Sequence, residues 1–243
     1  MSKLIVIDSG NIKFKAIFAF RNNSTVPVVY TYFRMIISYL KKLGAALDDE
    51  VIIAEDFGSW RKAIDSNYKA QRRELREEKE DKSFWDEMWK EFNDFLPKID
   101  QALPWKVCKI YNCESDDVAS VAVRFLDADE KILVSSDEDW AILCSIPNVK
   151  IFSPYSKKFK IVNNPEAILL KKIKGDKSDN LLEAPKTEEE FEKRKLIVDL
   201  LHLPPYIELP IKEALLKAPK KNLYLHKIPF HSCKLEIKKL YNL

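Results

Sequence analysis

Carboxylates account for most of the chemistry this sequence could do, and they gather at the ends of short apolar runs. Ile132, Leu133 and Val134 lead through Ser135 and Ser136 into Asp137, Glu138 and Asp139. Leu4 to Ile7 ends at Asp8, Val51 to Ala54 ends at Glu55 and Asp56, and Val107 to Tyr111 is followed closely by Glu114, Asp116 and Asp117. One strand-terminal aspartate is ordinarily a helix N-cap. Four such endings on one sheet would collect hard oxygen ligands at a single edge, a donor set that suits magnesium or manganese. Asp137 and Asp139, two residues apart, would repel each other unless a cation joined them. Farther on, Gly175 stands in the stretch GDKSDN, and with only four glycines in the chain it implies a turn held close to something. Asp179, and Asp176 with less force, extend the acid set.

These acids need a scaffold that ends strands together. Continuous apolar runs read as strands buried on both faces, the mark of a parallel sheet, and ligands of open parallel sheets bind at the carboxyl ends. Val28, Val29, Tyr32, Phe33, Ile36, Ile37 and Leu40 recur at helical spacing before Gly44, which suits a C-cap, so a crossover helix is expected over 24–43. Helical stripes follow at Phe84 to Ile99, from Glu114 to Phe125 and from Pro165 to Ile173; a short helix is expected at Asp137 to Cys144. Val149 to Phe152 and Phe159 to Val162 form an expected strand pair.

Between the second strand and the Phe84 helix, Ala63 to Lys82 has no apolar face and should project from the body. Arg61, Lys62, Tyr68, Lys69, Arg72, Arg73 and Arg76 put positive charge and one aromatic ring near Asp56. That mixture fits a strand of nucleic acid, with phosphates held by charge and a base by stacking. It fits equally an exposed helix laced by ion pairs.

The net charge of +3 hides a segregation. From Lys217 to the end there are seven lysines against Glu236, so that segment carries +6 while the remainder is slightly acidic. Basic flanks around an acidic, metal-binding pocket are what an enzyme acting on a phosphate backbone requires. At 243 residues, with 46% hydrophobic and 33% charged residues, the chain has the makings of one α/β core plus an extension. No apolar run approaches a membrane span, and the first run enters a core strand, so a soluble protein without a signal peptide is expected. Cys108, Cys113, Cys144 and Cys233 match neither a zinc nor a disulfide spacing, and His202, His226 and His231 lack paired ligand spacing.

Taken in order, Asp8, then Asp56 with Ser59, Trp60 and Arg61, then Tyr68, Lys69 and Arg72, then ESDDVAS, SSDEDW and GDKSDN, resemble the 5′ nuclease superfamily of flap endonucleases and 5′-3′ exonucleases. The likeness runs from Leu4 to Asn180 and is greatest to the T-even phage RNase H branch, through IPNVKIFSPYSKKFKI. It implies a PIN-like α/β fold: a central, mostly parallel sheet flanked by helices, with a basic arch at about 59–82 in a catalytic domain of residues 1–180. A helical, lysine-rich extension, 181–243, would follow. It implies two magnesium ions, replaceable by manganese, held by Asp8, Asp56, Glu114, Asp116, Asp137 and Asp139, with Asp117, Asp176 and Asp179 completing the second ion's surroundings. Tyr68, Lys69 and Arg72 would meet the scissile phosphate, and Arg61, Arg73 and Lys177 would join them in binding nucleic acid.

The implied activity is removal of RNA primers or 5′ flaps during DNA replication by a monomer, in the cytoplasm or a phage's host. Its partners would be flap or nicked DNA and RNA:DNA hybrid, with recruitment by a single-strand DNA-binding protein or a sliding clamp. The rivals are a PIN-class single-strand ribonuclease and a catalytically silent binder of branched nucleic acid. The chain departs from the superfamily after Asn180, where no glycine supports the usual helix-turn-helix clamp and its potassium ion.

Overall fold

The structure, a computed structural model, describes residues 2–71, 81–217 and 223–243. Six strands form one sheet in the order β3-β2-β1-β4-β5-β6. They are β1 Lys3–Asp8, β2 Glu50–Glu55, β3 Lys106–Lys109, β4 Glu130–Val134, β5 Val149–Ser153 and β6 Lys158–Lys160. Every pairing from β3 through β5 is parallel, and only the β5–β6 hairpin is antiparallel. From β1 the chain first builds outward through β2 and β3, then returns to the other side of β1 for β4. The strand order therefore reverses beside β1, where open α/β sheets place their ligands. The expected mostly parallel α/β fold is the one observed.

Alternate residues of the central strands enter two separate cores. Ile5, Ile7, Val51, Ile53, Ile132 and Val134 face α1 (Ser9–Asn22), α2 (Val28–Lys42), α4 (Lys82–Ala102) and α9 (His231–Leu240), through Ile12, Tyr32, Phe33, Phe92 and Ile237. Leu4, Val6, Ile52, Ala54, Leu133 and Ile151 face α5 (Ser115–Phe125) and α8 (Pro205–Leu215), through Val118, Ala122, Ile207 and Ile211. A smaller cluster joins Tyr68 to Ile173 of α6 (Pro165–Lys174), to Leu181, and to Ile197 and Val198 of α7 (Glu188–Val198).

Helix α2 ends as the sequence predicts. Gly44 has φ 61°, the Ala45 N–H reaches the Leu40 carbonyl at 2.9 Å, and the Gly44 N–H reaches that of Lys41 at 3.1 Å. This is a glycine C-cap of the Schellman type. Helix α1, by contrast, has no counterpart among the expected elements: its buried face includes Ser9, Lys13 and Ala16 as well as Ile12 and Ile17, so its apolar stripe is too broken to read. The helix expected from Asp137 is a 3-10 helix, Asp139–Ser145.

The segment after residue 180 packs as part of the body. Helix α8 completes one core and α9 the other, Trp105 Nε1 donates to the Tyr241 hydroxyl at 2.7 Å, and Lys106 Nζ donates to the Leu215 carbonyl at 2.6 Å. The change of sequence character near 180 thus does not mark a break in packing. The expected arch at 59–82 likewise starts inside the body, because Ser59, Trp60, Arg61 and Tyr68 are buried around the short helix α3 (Arg61–Ile64). Residues 72–80, which carry Arg72, Arg73 and Arg76, lie outside the described residues. Among the described residues, no helix is long and apolar enough to cross a membrane.

Candidate functional site

The parallel register places the strand-terminal acids at one edge. Asp8 closes β1 and pairs in register with Ala54, two residues before Asp56, while Ile7 pairs with Val134, three residues before Asp137. Helix α5 then aims its first turn, Glu114 to Asp117, at the same edge. A cavity of about 520 Å³ results, lined by Asp8, Asp56, Glu114, Asp116, Asp137 and Lys69 among others.

Each acid is held by a specific contact. Asp8 caps α1 by accepting from the Asn11 N–H at 3.0 Å, and its other oxygen accepts from Ser135 Oγ at 2.7 Å. Ser135 Oγ in turn accepts from the Asp137 N–H at 3.0 Å, so one buried hydroxyl ties the ends of β1 and β4 together. Asp56 accepts from the Ser115 N–H at 2.7 Å and Asp116 from Trp140 Nε1 at 2.5 Å. Burial, followed by the charges of Asp56 and Asp137, pushes the Asp8 carboxyl up to about 7. Burial and then Asp137 push Asp116 well above the ordinary carboxylate range. A site that raises its own acids in this way is under-neutralised, and a bound cation would reverse the effect.

A second group lies beside the first. One carboxylate oxygen from each of Asp139, Asp176 and Asp179 comes within 4.8 Å of the others, a spacing that could hold a metal ion. Lys172 sits against Asp139 and, at 2.5 Å, against Asp176. Burial raises Asp139 to about 6, with Asp137 adding to the effect and Lys172 opposing it. Asp176 stays low, at about 2, because hydrogen bonds from Lys172 and Ser178 outweigh its burial. Gly175 is the close approach its scarcity implies: a Cβ there would stand 3.4 Å from the Leu181 carbonyl oxygen, next to the paired backbones of Asp176 and Leu181. The oxygens of the second group lie within coordination reach of one another, those of the first line one cavity, and both are hard donors of the kind that small divalent cations take.

Of the expected ligands, Asp8, Asp56, Glu114, Asp116 and Asp137 share the cavity, while Asp139, Asp176 and Asp179 form the neighbouring group. Asp117 stands apart from both groups. It is 0% exposed, and its oxygens accept from Arg61 Nη2 at 2.8 Å, Arg61 Nη1 at 3.2 Å, Trp60 Nε1 at 3.1 Å and the Glu114 N–H at 2.9 Å, which turns it away from any ion.

Four of the expected nucleic-acid contacts, Arg61, Tyr68, Lys69 and Lys177, fall within the described residues, and they are placed differently. Arg61, at 1% exposure, is an internal counter-ion to Glu114 and Asp117. Tyr68 belongs to the small cluster between α6 and α7 at 3% exposure, with its hydroxyl 3.2 Å from Glu114 Oε2, so it offers no face for a base to stack on. Lys69 does reach the cavity: its Nζ lies 2.6 Å from Glu114 Oε1 and 3.9 Å from Asp179 Oδ1, between the two groups. Lys177 is exposed beside the second group.

Sequence reasoning overlooked Gly10, Asn11 and Phe14, which line the cavity, as well as Lys172; Lys62, already read as part of the basic stretch near Asp56, lines it too. Gly10 had a readable signal, being a rare glycine two residues from Asp8. A Cβ there would stand 3.1 Å from Asp56 Oδ2 and 3.5 Å from Asp8 Oδ1.

With this geometry in hand, comparison with known proteins places the chain. The family model described as 5′-3′ exonuclease, N-terminal resolvase-like domain, matches residues 3–173. The ribonuclease H of Enterobacteria phage T4 is 34% identical over 133 residues, 51% of this chain and 42% of that protein. A 5′-3′ exonuclease of Mycoplasmopsis pulmonis is 26% identical over 196 residues, 74% of this chain and 61% of that protein. The chain thus spans about half the length of these curated relatives. In fold it is similar to the bacteriophage T5 flap endonuclease solved in a complex with DNA and metal ions, with a TM-score of 0.68 at 19% identity, over 99% of this chain and 100% of that one. The T5 5′-exonuclease with bound zinc gives a TM-score of 0.62 at 17% identity, over 98% of each chain. A match across residues 3–173, with acids gathered at the carboxyl edge of a PIN-like sheet, shows that this chain belongs to the 5′-3′ exonuclease family.

Proposed function

We propose that the protein is a magnesium-dependent 5′-3′ exonuclease and flap endonuclease that hydrolyses phosphodiesters of DNA and of RNA:DNA hybrid, as in removal of primers or 5′ flaps during replication. The observation that supports this reading best is the convergence of Asp8, Asp56, Glu114, Asp116 and Asp137 on one cavity, with Asp139, Asp176 and Asp179 beside it. The first five would hold one divalent ion and the latter three a second, with manganese able to replace magnesium. When bound, such a pair lowers the pKa of an attacking water and neutralises charge at the reacting phosphorus.

The chain's own residues supply the rest. Lys69, between the groups, carries a positive charge that Glu114 keeps well protonated against the cost of burial. It can turn that charge from Glu114 to a phosphate oxygen and stabilise the charge that builds there. Lys62 at the cavity and Lys177 beside the second group are exposed cations suited to holding the backbone on either side. The Ser135 hydroxyl keeps Asp8 and the Asp137 loop in a fixed relation, so the donor set is arranged before substrate arrives.

A 5′-labelled flap, a nicked duplex and an RNA:DNA hybrid, each incubated with magnesium and with excess chelator, test the reading. Short 5′ products in magnesium, and none in chelator, are expected. Undiminished cleavage in chelator would overturn the metal mechanism. Cleavage confined to unstructured RNA would favour a single-strand ribonuclease, and tight binding without cleavage would favour a silent binding protein.

A further inference from the structure

Arg61 is the most completely buried cation near the cavity among the described residues, yet it lines none of it. Its whole fork is used. Nη1 donates to Glu114 Oε2 at 2.9 Å, Nη2 to Asp117 Oδ1 at 2.8 Å, and Nε to the Ile197 carbonyl at 2.7 Å, in the last turn of α7. The Trp60 ring stacks alongside, 4.8 Å from the guanidinium carbon. A planar guanidinium can serve two carboxylates and a carbonyl at once, and a lysine ammonium cannot reproduce that spread of donors.

The effect on Glu114 is asymmetric. Oε2 is fixed by three donors, Arg61 Nη1, Ser59 Oγ at 3.0 Å and the Tyr68 hydroxyl at 3.2 Å. Oε1 meets Lys69 Nζ, at 2.6 Å, on the cavity side. Glu114 therefore offers one oxygen in a fixed direction. Asp117 adds to this by accepting from the Glu114 N–H at 2.9 Å while it neutralises Arg61.

From this geometry we infer that Arg61 is a positioning residue for the metal-facing carboxylate Glu114, and that it fastens the α7 region of the C-terminal segment to the cavity. The inference rests on the cavity being a divalent-metal centre. A buried partner that orients a metal ligand commonly controls affinity or activity by about 10- to 100-fold. Arg61 touches no part of the accessible surface, so it acts on turnover and ion affinity and leaves substrate binding alone.

Manganese titration of full-length wild type and Arg61→Lys, followed by calorimetry, tests this together with kcat and KM on a 5′-flap duplex. Expected for Arg61→Lys are a manganese Kd raised about 10- to 100-fold, kcat reduced by a similar factor, and an unchanged KM. If that variant does not fold, Asp117→Asn is the substitute, because it sets an amide N–H against the Arg61 donors; the same pattern is expected. A raised KM with normal kcat, and a salt dependence of binding weaker by about one phosphate contact, would make Arg61 a nucleic-acid ligand and overturn the inference. An unchanged manganese affinity in a folded variant would also overturn it. If wild type binds manganese but cuts nothing, the nuclease reading fails while the comparison of affinities still decides the role of Arg61.

Discussion

Replacing Asp8 by asparagine should make the metal-free protein more stable and leave it unable to respond to divalent ions. The Asp8 carboxyl rises from an ordinary 3.8 to about 7, through burial first and the charges of Asp56 and Asp137 after it. Because the folded-state value lies above the unfolded one, stability is full below about pH 4. It is lost as pH rises towards 7, and the loss is constant above that. At about 1.4 kcal/mol per pH unit the cost of ionising Asp8 reaches at most about 4 kcal/mol at pH 8 and is under half of that at pH 5. Asparagine avoids this cost, caps a helix as well as aspartate does, and can still meet the Asn11 N–H and the Ser135 hydroxyl. Even with part of the gain lost to water in the cavity, a melting temperature higher by on the order of 5 °C is expected at pH 8 without metal, and less at pH 5. Manganese at about 100 times its Kd should stabilise the wild type by about 2.7 kcal/mol and the variant far less. Thermal denaturation at the two pH values, with and without manganese, measures all of this. An Asp8→Asn variant that melts at or below wild type at pH 8, or gains as much from manganese, would refute the reasoning.

Three further substitutions probe other parts of the account. Gly10→Ala should gain up to about 1 kcal/mol of helix propensity in α1, while its Cβ, 3.1 Å from Asp56 Oδ2, crowds the cavity; a manganese titration should show weakened binding in a protein that melts no lower than wild type. Lys69→Ala should slow single-turnover cleavage by about 100-fold or more while changing DNA affinity little, since one lysine among many adds little to binding; equal losses in rate and in fluorescence-anisotropy affinity would make it an ordinary phosphate contact. Tyr241→Phe should lose about 1 kcal/mol by removing the hydrogen bond from Trp105, and urea unfolding should remain a single transition because α9 shares the core of the sheet.

Much of this fold was legible because its informative features are local. Val51 to Ala54 and Ile132 to Val134 announce buried parallel strands by continuous apolar sequence, and both end at acids that the structure brings to one edge. Gly44 announced its own cap. What stayed hidden depends on partners distant in sequence. Arg61 reads as a surface arginine until Glu114 and Asp117, more than fifty positions on, close around it. Asp116 and Asp117 are adjacent and identical in type, and only the direction of the first turn of α5 sends one towards the cavity and the other inward. Helix α1 buries Lys13 against Glu55 beneath Trp89 and Phe92, so a charge stands where an apolar stripe would be sought. Helices α8 and α9, which flank or lie in the lysine-rich C-terminal stretch, turn apolar faces to opposite sides of the sheet, and a reading by composition sees only the lysines.

The central claim is that the two acid groups hold two divalent ions, and a crystal grown with saturating manganese and measured for anomalous scattering tests it most directly. Two peaks are predicted: one within about 2.2 Å of oxygens from the group of Asp8, Asp56, Glu114, Asp116 and Asp137, and one at similar distance from the group of Asp139, Asp176 and Asp179, with Lys172 moved aside. Absence of manganese from either group at saturation, or ions bound only elsewhere on the surface, would contradict it.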